Sequence, residues 1–291
     1  MTPLRQTLTD LKSWTTMKKV GILYHPRVKK TQVKAAEVQQ LLNVSKTDAW
    51  LCSAWDRAEA QSRLPDTDLI ITIGGDGTIL RAAQMVIPTT IPITGINMGN
   101  LGFNTELRAE ETADKLPALL AGEGWIDERS LLEAEIVNAE KPGVFHALND
   151  VVLARGADPH VVSIDASIDD QHLTTYRADG VITATATGST GYALAAGGPI
   201  IHPQSPDILL LPLVPHLSTA YAMVLPSTAT VKLHATSNSK TTLSIDGHIN
   251  LNLDGGATVL VRHSPHTIRF LRIHPRASFY GSLAARLKGK N

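Results

Sequence analysis

Short apolar runs alternate with helix-period segments through the first 120 or so residues. Residues 20–24 form an apolar run closed by His25-Pro26, a pattern that predicts a buried strand. Thr31 is a candidate N-cap for a helix over 31–42, with Val33, Ala36, Val38, Leu41 and Leu42 on roughly one face. A second strand is expected over 49–54 and a helical segment over 56–63, before Leu64-Pro65. Residues 69–73, rich in isoleucine, are too short for a helix and suit a strand covered on both faces. Ile79, Leu80, Ala83 and Val86 then recur at helical spacing. A strand over 91–96 and a helix over 110–120, ending near Gly122, complete the alternation. Strands alternating with helices indicate βαβ units and a parallel sheet.

After Gly124 the period changes to two. Segments 132–137, 147–154, 161–168, 181–186, 231–234, 241–245, 257–261 and 267–273 carry β-branched residues in partial alternation. Asp169-Asp170, Asp179-Gly180 and Gly188 punctuate them. The expected architecture is an α/β domain over 1–124, completed by 271–291, and an all-β domain over 125–270. The latter is read as a two-layer β-sandwich, and 282–290 as a short basic helix or tail.

Composition narrows the partners. The chain has 291 residues, 43% of them apolar and 19% charged, with 27 basic and 27 acidic side chains. A net charge of zero gives no support for bulk binding to nucleic acid or to acidic membranes. The single cysteine, Cys52, forbids an intrachain disulfide and suits a reducing compartment. Residues 1–19 mix charged side chains among few apolar ones, which argues against a secretory signal; a cytoplasmic location is expected. The most apolar run, 208–225, is broken by Pro212, Pro215 and His216 and is read as part of a buried core.

The candidate chemistry begins at Gly74-Gly75-Asp76-Gly77-Thr78, between the isoleucine-rich strand and the following helix. Backbone N–H groups at such a junction favour anions, and glycine lets a phosphate approach closely. A carboxylate there opposes what the cradle attracts, so Asp76 is expected to serve chemistry, as a base or near a metal. Asp-Gly is also a hairpin signal, and hairpins are plausible at Asp179-Gly180, Asp246-Gly247 and Asp254-Gly255. At Asp76 the helical period that follows argues against one. A second loop after a strand, 97–103, contains Gly99 and Gly102, and adjacent strand ends of an open sheet share a ligand crevice. No G-x-x-x-x-G-K-[ST], G-x-G-x-x-G or H-E-x-x-H pattern occurs, and His263 with His266 has no second ligand pair; no metal site is expected.

In the β half, Asn149-Asp150, Arg177-Ala178-Asp179-Gly180 and the small-residue run Thr187-Gly188-Ser189-Thr190-Gly191-Tyr192 followed by Gly197-Gly198-Pro199-Ile200 form a second set. Taken alone, the run could be a plain loop. Together with the glycine-rich turn, the 97–103 loop with Thr105-Glu106, and Ser244-Ile245-Asp246-Gly247, these motifs resemble the NAD kinase family. The Gly-Gly-Asp-Gly-Thr element is also similar to that of diacylglycerol-type lipid kinases and phosphofructokinase-like enzymes, so the other segments narrow the match. The chain departs from the family at Ala186, where proline is usual, and at Gly191, where alanine is usual; both loosen the loop backbone.

The resemblance implies a phosphofructokinase-like parallel sheet in the first domain and phosphoryl transfer from ATP, or polyphosphate, to the adenosine ribose 2′-hydroxyl of NAD, giving NADP. Asp76 matches the catalytic base, and Gly74, Gly75, Gly77 and Thr78 match the phosphate-donor loop, with Mg²⁺ carried on the triphosphate. Asp76, Gly77, Arg81, Asn149, Asp150, His160, Arg177, Asp179, Thr187, Thr190, Gly191, Tyr192, Ala193, Leu194, Ala195 and His248 match dinucleotide-contacting positions. Arg177 and Asp179 would come from a neighbouring subunit of a homodimer or homotetramer. Each has a plainer alternative: Arg81 as a solvated helix residue, His160 as a loop histidine, Arg177 with Asp179 as a surface ion pair. The family position at His248 varies in type. A lipid kinase, entered through 208–225, and a non-catalytic dinucleotide sensor are the alternative functions.

Overall fold

The computed structural model describes residues 17–99, 102–138, 142–156, 160–216, 221–236, 240–276 and 278–287. The expected lead over 1–16, Asn100 and Leu101 of the second loop, and the last four residues lie outside that set. The chain divides into two units, one formed by 1–82, 91–126 and 270–291 and the other by 83–90 and 127–269.

In the first unit, β1 (Lys19–Tyr24), β2 (Asp48–Ser53), β3 (Leu69–Gly74) and β4 (Ile93–Asn97) pair in parallel in the order β2-β1-β3-β4. Between them run α1 (Lys29–Val44), α2 (Arg57–Arg63) and α3 (Asp76–Val86). A two-residue strand, β5 (Leu107–Arg108), pairs with β4, and α4 (Thr112–Leu120) follows. Ala35, Val38 and Leu42 of α1 pack with Val20, Ile22, Leu69, Ile71 and Ile73 of the strands and with Leu116 and Leu119 of α4. All six residues of β3 are buried, as expected of a central parallel strand. The helix over 31–42 starts earlier than its candidate cap: α1 begins at Lys29, and the Thr31 hydroxyl donates to the carbonyls of His25 and Val28 instead of capping. Asp56 does cap α2, accepting the Glu59 N–H at 3.0 Å.

In the second unit the strands are β6 (Trp125–Val137), β7 (Gly143–Ala147), β8 (Asp150–Arg155), β9 (Val162–Ile168), β10 (Gln171–Ala178) and β11 (Gly180–Ala184). After the short helix α5 (Tyr192–Ala195) come β12 (Ile208–Leu213), β13 (Met223–Leu225), β14 (Val231–Ala235), β15 (Thr241–Ile245), β16 (Ile249–Leu253) and β17 (Thr258–Arg272). Of these, β5, β7, β10, β13 and β16 have too short or too polar a pattern to stand out in the sequence. One sheet runs β10-β9-β14-β17, with β6 beside β17 and β7 beside β6; the other runs β13-β12-β11-β8-β15-β16, antiparallel throughout. Alternate residues of both layers, among them Val162, Ile164 and Val231 from one and Val151, Leu153, Val181 and Leu243 from the other, form the core. The opposite face of the second sheet is also covered, with Val152, Ile182, Leu209 and Leu211 packing on Ala193. That explains why the run at 208–213, Pro212 included, is buried throughout.

Three expectations are corrected here. Segments 257–261 and 267–273 belong to one 15-residue strand, β17, which passes into the first unit at Phe270 and there pairs with Ile93 of β4. Asp179-Gly180 joins strands of different sheets, as does Asp254-Gly255, so neither is a hairpin. Asp246-Gly247 is one: both residues have positive φ, 51° and 68°, and the His248 N–H reaches the Ile245 carbonyl at 3.2 Å. The chain ends in α6 (Ser278–Leu287).

Candidate active site

In the first unit β3 ends at Gly74 and α3 begins at Asp76, so the glycine-rich turn is a strand-to-helix junction and not a hairpin. None of Gly74, Gly75 and Gly77 has positive φ, so conformational freedom is not what glycine supplies here. At Gly74 a Cβ would strike the Thr78 hydroxyl, while at Gly75 and Gly77 it would meet open space. Both of those glycines are exposed, and their bare backbone is available to a ligand. Thr78 is buried, and its Oγ1 has no hydrogen-bond partner.

Asp76 is half-buried and held from the second loop. Its Oδ2 accepts the Phe103 N–H at 2.8 Å and its Oδ1 the Asn104 N–H at 3.1 Å. A Cβ on Gly102 would collide with this carboxylate, lying 2.7 Å from Cγ, which is the steric reason for glycine at 102. Asn97 shapes the loop from its other end, accepting the Gly99 N–H at 2.6 Å and donating to Thr105 Oγ1 at 3.3 Å. Arg81 is not a freely solvated helix residue. Its guanidinium lies over the Trp55 ring at 4.2 Å, and Trp55 also packs against His25. Burial, with the charge of Arg27, pulls its pKa down from the ordinary arginine value.

In the second unit the focus is the break between β7 and β8, where Leu148, Asn149 and Asp150 turn the chain. Asp246, buried at the hairpin, accepts the backbone N–H groups of all three, at 3.0, 2.7 and 3.2 Å. Gln84 Nε2 adds a fourth donor at 3.1 Å. On the other side Thr185 ties the small-residue loop to the same turn. Its N–H reaches the Asn149 carbonyl at 2.9 Å and its hydroxyl the Leu148 carbonyl at 2.6 Å. Gly188 lies against Asn149 so closely that a Cβ would strike the Asn149 backbone carbonyl. A Cβ at Gly191 would sit 3.3 Å from Asn149 Nδ2, a tight fit for the alanine usual there. Asn149 Oδ1 is buried and makes no hydrogen bond, an acceptor held ready for a donor.

Asp150 is buried beside this turn. Desolvation, reinforced by the charge of Asp246, pushes its pKa up to about 7. Asp246 is also raised by burial, opposed by the amides it accepts.

The structure therefore brings Asn149, Asp150, Thr187, Gly191 and Asp246 into one cluster, joined by Thr190, whose hydroxyl donates to the Thr187 carbonyl at 3.0 Å. Ala193 is buried in the core, whereas Tyr192 and Ala195 are exposed and Leu194 is half-buried. His248 sits in the hairpin, its Nδ1 3.1 Å from the Asp246 carbonyl oxygen. Arg177 and Asp179 are elsewhere. They precede β11, and the loop with Thr187 follows it, so strand length alone separates them by about 17 Å. Asp179 pairs with Arg155 at 2.9 Å, and Arg177 and His160 are exposed.

Several contributors carry little sequence signal. Asp246 is legible only as a hairpin residue, and nothing marks Gln84. Buried Arg129 donates to Thr187 Oγ1 at 3.2 Å and to Asp127 Oδ2 at 2.5 Å. Opposite charges two apart on one strand face were the available clue. Among the described residues no group of three or more His, Cys, Asp or Glu side chains is placed to hold a metal ion.

The chain matches the ATP-NAD kinase N-terminal domain over residues 5–124 and the ATP-NAD kinase C-terminal domain over 148–273. It is 45% identical over 276 residues to the NAD kinase of Dehalococcoides mccartyi strain CBDB1, covering 94% of this chain and 97% of that one. The NAD kinase of Carboxydothermus hydrogenoformans is 34% identical over 266 residues, covering 91% and 95%. Among solved structures, yeast NADH kinase complexed with NADH superposes with a TM-score of 0.84 at 27% identity, over 95% of this chain and 89% of that one. An NAD kinase from Archaeoglobus fulgidus in complex with ATP shares the fold, with a TM-score of 0.77 at 22% identity over 94% and 100%. The chain belongs to the NAD kinase family and is a phosphotransferase with an alcohol acceptor.

Proposed function

We propose that this NAD kinase uses Asp76 as its general base, with ATP as phosphoryl donor and the 2′-hydroxyl of the adenosine ribose as acceptor. The observation that carries the reading is the Asp76 carboxylate fixed by the Phe103 and Asn104 amides beside the bare backbone of Gly75 and Gly77. A hydroxyl is a weak nucleophile, so the reaction needs it aligned, deprotonated and met by a neutralised phosphate. As the ribose oxygen bonds to the γ-phosphorus, Asp76 accepts the hydroxyl proton, the bond to the β-bridging oxygen breaks, and ADP leaves. A base of this kind contributes about 10²–10⁴-fold. Gly74, Gly75, Gly77 and Thr78 line the donor phosphates. Magnesium enters as part of the nucleotide substrate, carried by phosphate oxygens and water.

The ribose of NAD is held by Asn149, through its unpartnered Oδ1, and by Asp150. Thr187, Thr190, Gly191, Tyr192, Leu194 and Ala195 line the base, with Ala193 packed in the core beneath them, and Arg81, His160 and His248 contact the remainder of the dinucleotide. Arg177 and Asp179 stand at the far end of β11 from the Thr187 loop, which favours their acting on the site of a neighbouring subunit in a homodimer or homotetramer. A single cysteine and a neutral formal charge suit a cytoplasmic enzyme acting on small anionic substrates. Of the stretch 208–225 that the lipid-kinase reading would use as an entry, β12 is buried, while Val214, Tyr221 and Val224 are exposed.

A coupled assay of NADP formation, run with MgATP and with Mg-polyphosphate, tests the reading. NADP formation with ATP is expected, and absence of product with every donor while NAD still binds would favour a sensor.

A further inference from the structure

A buried arginine in the first unit points at the loop that receives Asp76. Arg272, the last residue of β17, is 4% exposed. Its Nη1 donates to the Asn104 carbonyl at 2.7 Å and lies 3.3 Å from Glu106 Oε2, and its guanidinium stands 4.5 Å from the centre of the Phe270 ring. Glu106 is buried too. Its Oε1 accepts the N–H groups of Ile273 at 2.9 Å and His274 at 2.7 Å, and lies 2.9 Å from His274 Nδ1.

Burying a guanidinium is costly unless its donors are used, and a charged donor on a carbonyl fixes that peptide firmly. The peptide fixed here adjoins the one whose N–H binds Asp76 Oδ1 at 3.1 Å. The rest of the turn is anchored at two further points: the Gly102 N–H on Thr105 Oγ1 at 3.1 Å and the Glu106 N–H on the Gly95 carbonyl at 2.8 Å. Arg272 is the anchor between them, on the carbonyl of the residue whose N–H meets Asp76.

We propose that Arg272, held by Glu106, is a positioning residue for Asp76, acting through the Asn104 peptide. The proposal rests on the reading of Asp76 as the base. A lysine keeps the charge but cannot serve both the carbonyl and the carboxylate with the fixed guanidinium fork. Arg272→Lys therefore lets the amide pair drift, and a sub-ångström to 1 Å drift of a base costs roughly 10- to 100-fold in rate.

The test measures kcat, KM for NAD and melting temperature for Arg272→Lys, Glu106→Gln, Asp76→Asn and the Arg272→Lys/Asp76→Asn double variant. Expected are a kcat lowered roughly 10- to 100-fold by Arg272→Lys with KM within about twofold, and a smaller loss for Glu106→Gln. On the Asp76→Asn background Arg272→Lys should change the residual turnover by less than about twofold, because nothing remains to be positioned. Unchanged kcat in a folded Arg272→Lys enzyme overturns the proposal, as does a loss of the same size on the Asp76→Asn background. If Arg272→Lys does not fold, Glu106→Gln decides in the same way. Near-full activity of Asp76→Asn alone would instead sink the base assignment.

Discussion

Asp246 holds the backbone N–H of Asn149 at 2.7 Å, and with it the N–H groups on either side. A fully buried carboxylate here replaces the missing sheet partners of a turn. Its own backbone sits at φ 51°, a conformation that asparagine shares and alanine resists. Asp246→Ala leaves three backbone amides without their acceptor and takes from Gln84 Nε2 one of its two acceptors, the His146 carbonyl remaining. It should cost ~3–5 kcal/mol of stability and raise KM for NAD tenfold or more. Asp246→Asn keeps one acceptor oxygen and the φ preference but turns an NH2 toward two of the four donors, so it should recover only part of the stability. Urea unfolding and NAD titration of the two variants check this; equal, small effects in both would show that the amides do not depend on Asp246.

The pKa of Asp150 gives a pH dependence with a definite sign. Its carboxyl titrates near 3.8 when unfolded and at about 7 when folded, raised by burial and then by Asp246. Between those values the folded protein binds the extra proton, so this group's contribution to stability falls as pH rises from about 4 to about 7. Asp150→Asn should flatten that part of the profile for the ligand-free protein, by a few kcal/mol at most. Asp246→Asn should move the window to lower pH, because it removes the second cause of the shift. Thermal unfolding across pH 5–8 reads both, and a wild-type slope unchanged by Asp150→Asn would contradict the assignment.

Gly102 is where the loop backbone and the Asp76 side chain touch. A methyl group there would occupy the space of the Asp76 carboxylate. Gly102→Ala should therefore lower kcat by roughly 10²-fold while leaving KM for NAD and the melting temperature nearly unchanged, since the side chain at 76 can swing aside without cost to the core. Steady-state kinetics with a melting curve decide it; a large loss of stability with unaltered kcat in the folded fraction would mean the loop, not Asp76, gives way.

The two periods of the apolar pattern made both units legible, because buried strands and amphipathic helices must repeat their burial along the chain. The Gly74–Thr78 turn, Asn149-Asp150 and the Thr187 loop were legible as motifs. What escaped is what depends on contacts distant in sequence. The amides of Phe103 and Asn104 have no residue-type signature, Gln84 and Asp246 meet across 162 positions, and Arg272 reaches Asn104 across 168. Glycine at 102 and 188 reads as loop permissiveness in the sequence; in the structure it answers to the bulk of Asp76 and of the Asn149 backbone. Thr31 failed as a cap because a hydroxyl in the first turn of a helix can bond backward to carbonyls as readily as it caps.

The carboxylate at position 76 carries the account, and single-turnover formation of NADP by Asp76→Asn, with NAD binding and melting temperature measured on the same sample, tests it most directly. The expected result is NAD affinity and stability within about twofold and 2 °C of the parent, with the rate of phosphoryl transfer lowered at least ~10²-fold. A transfer rate near that of the parent, in a variant that binds NAD normally, would show that the proton goes elsewhere.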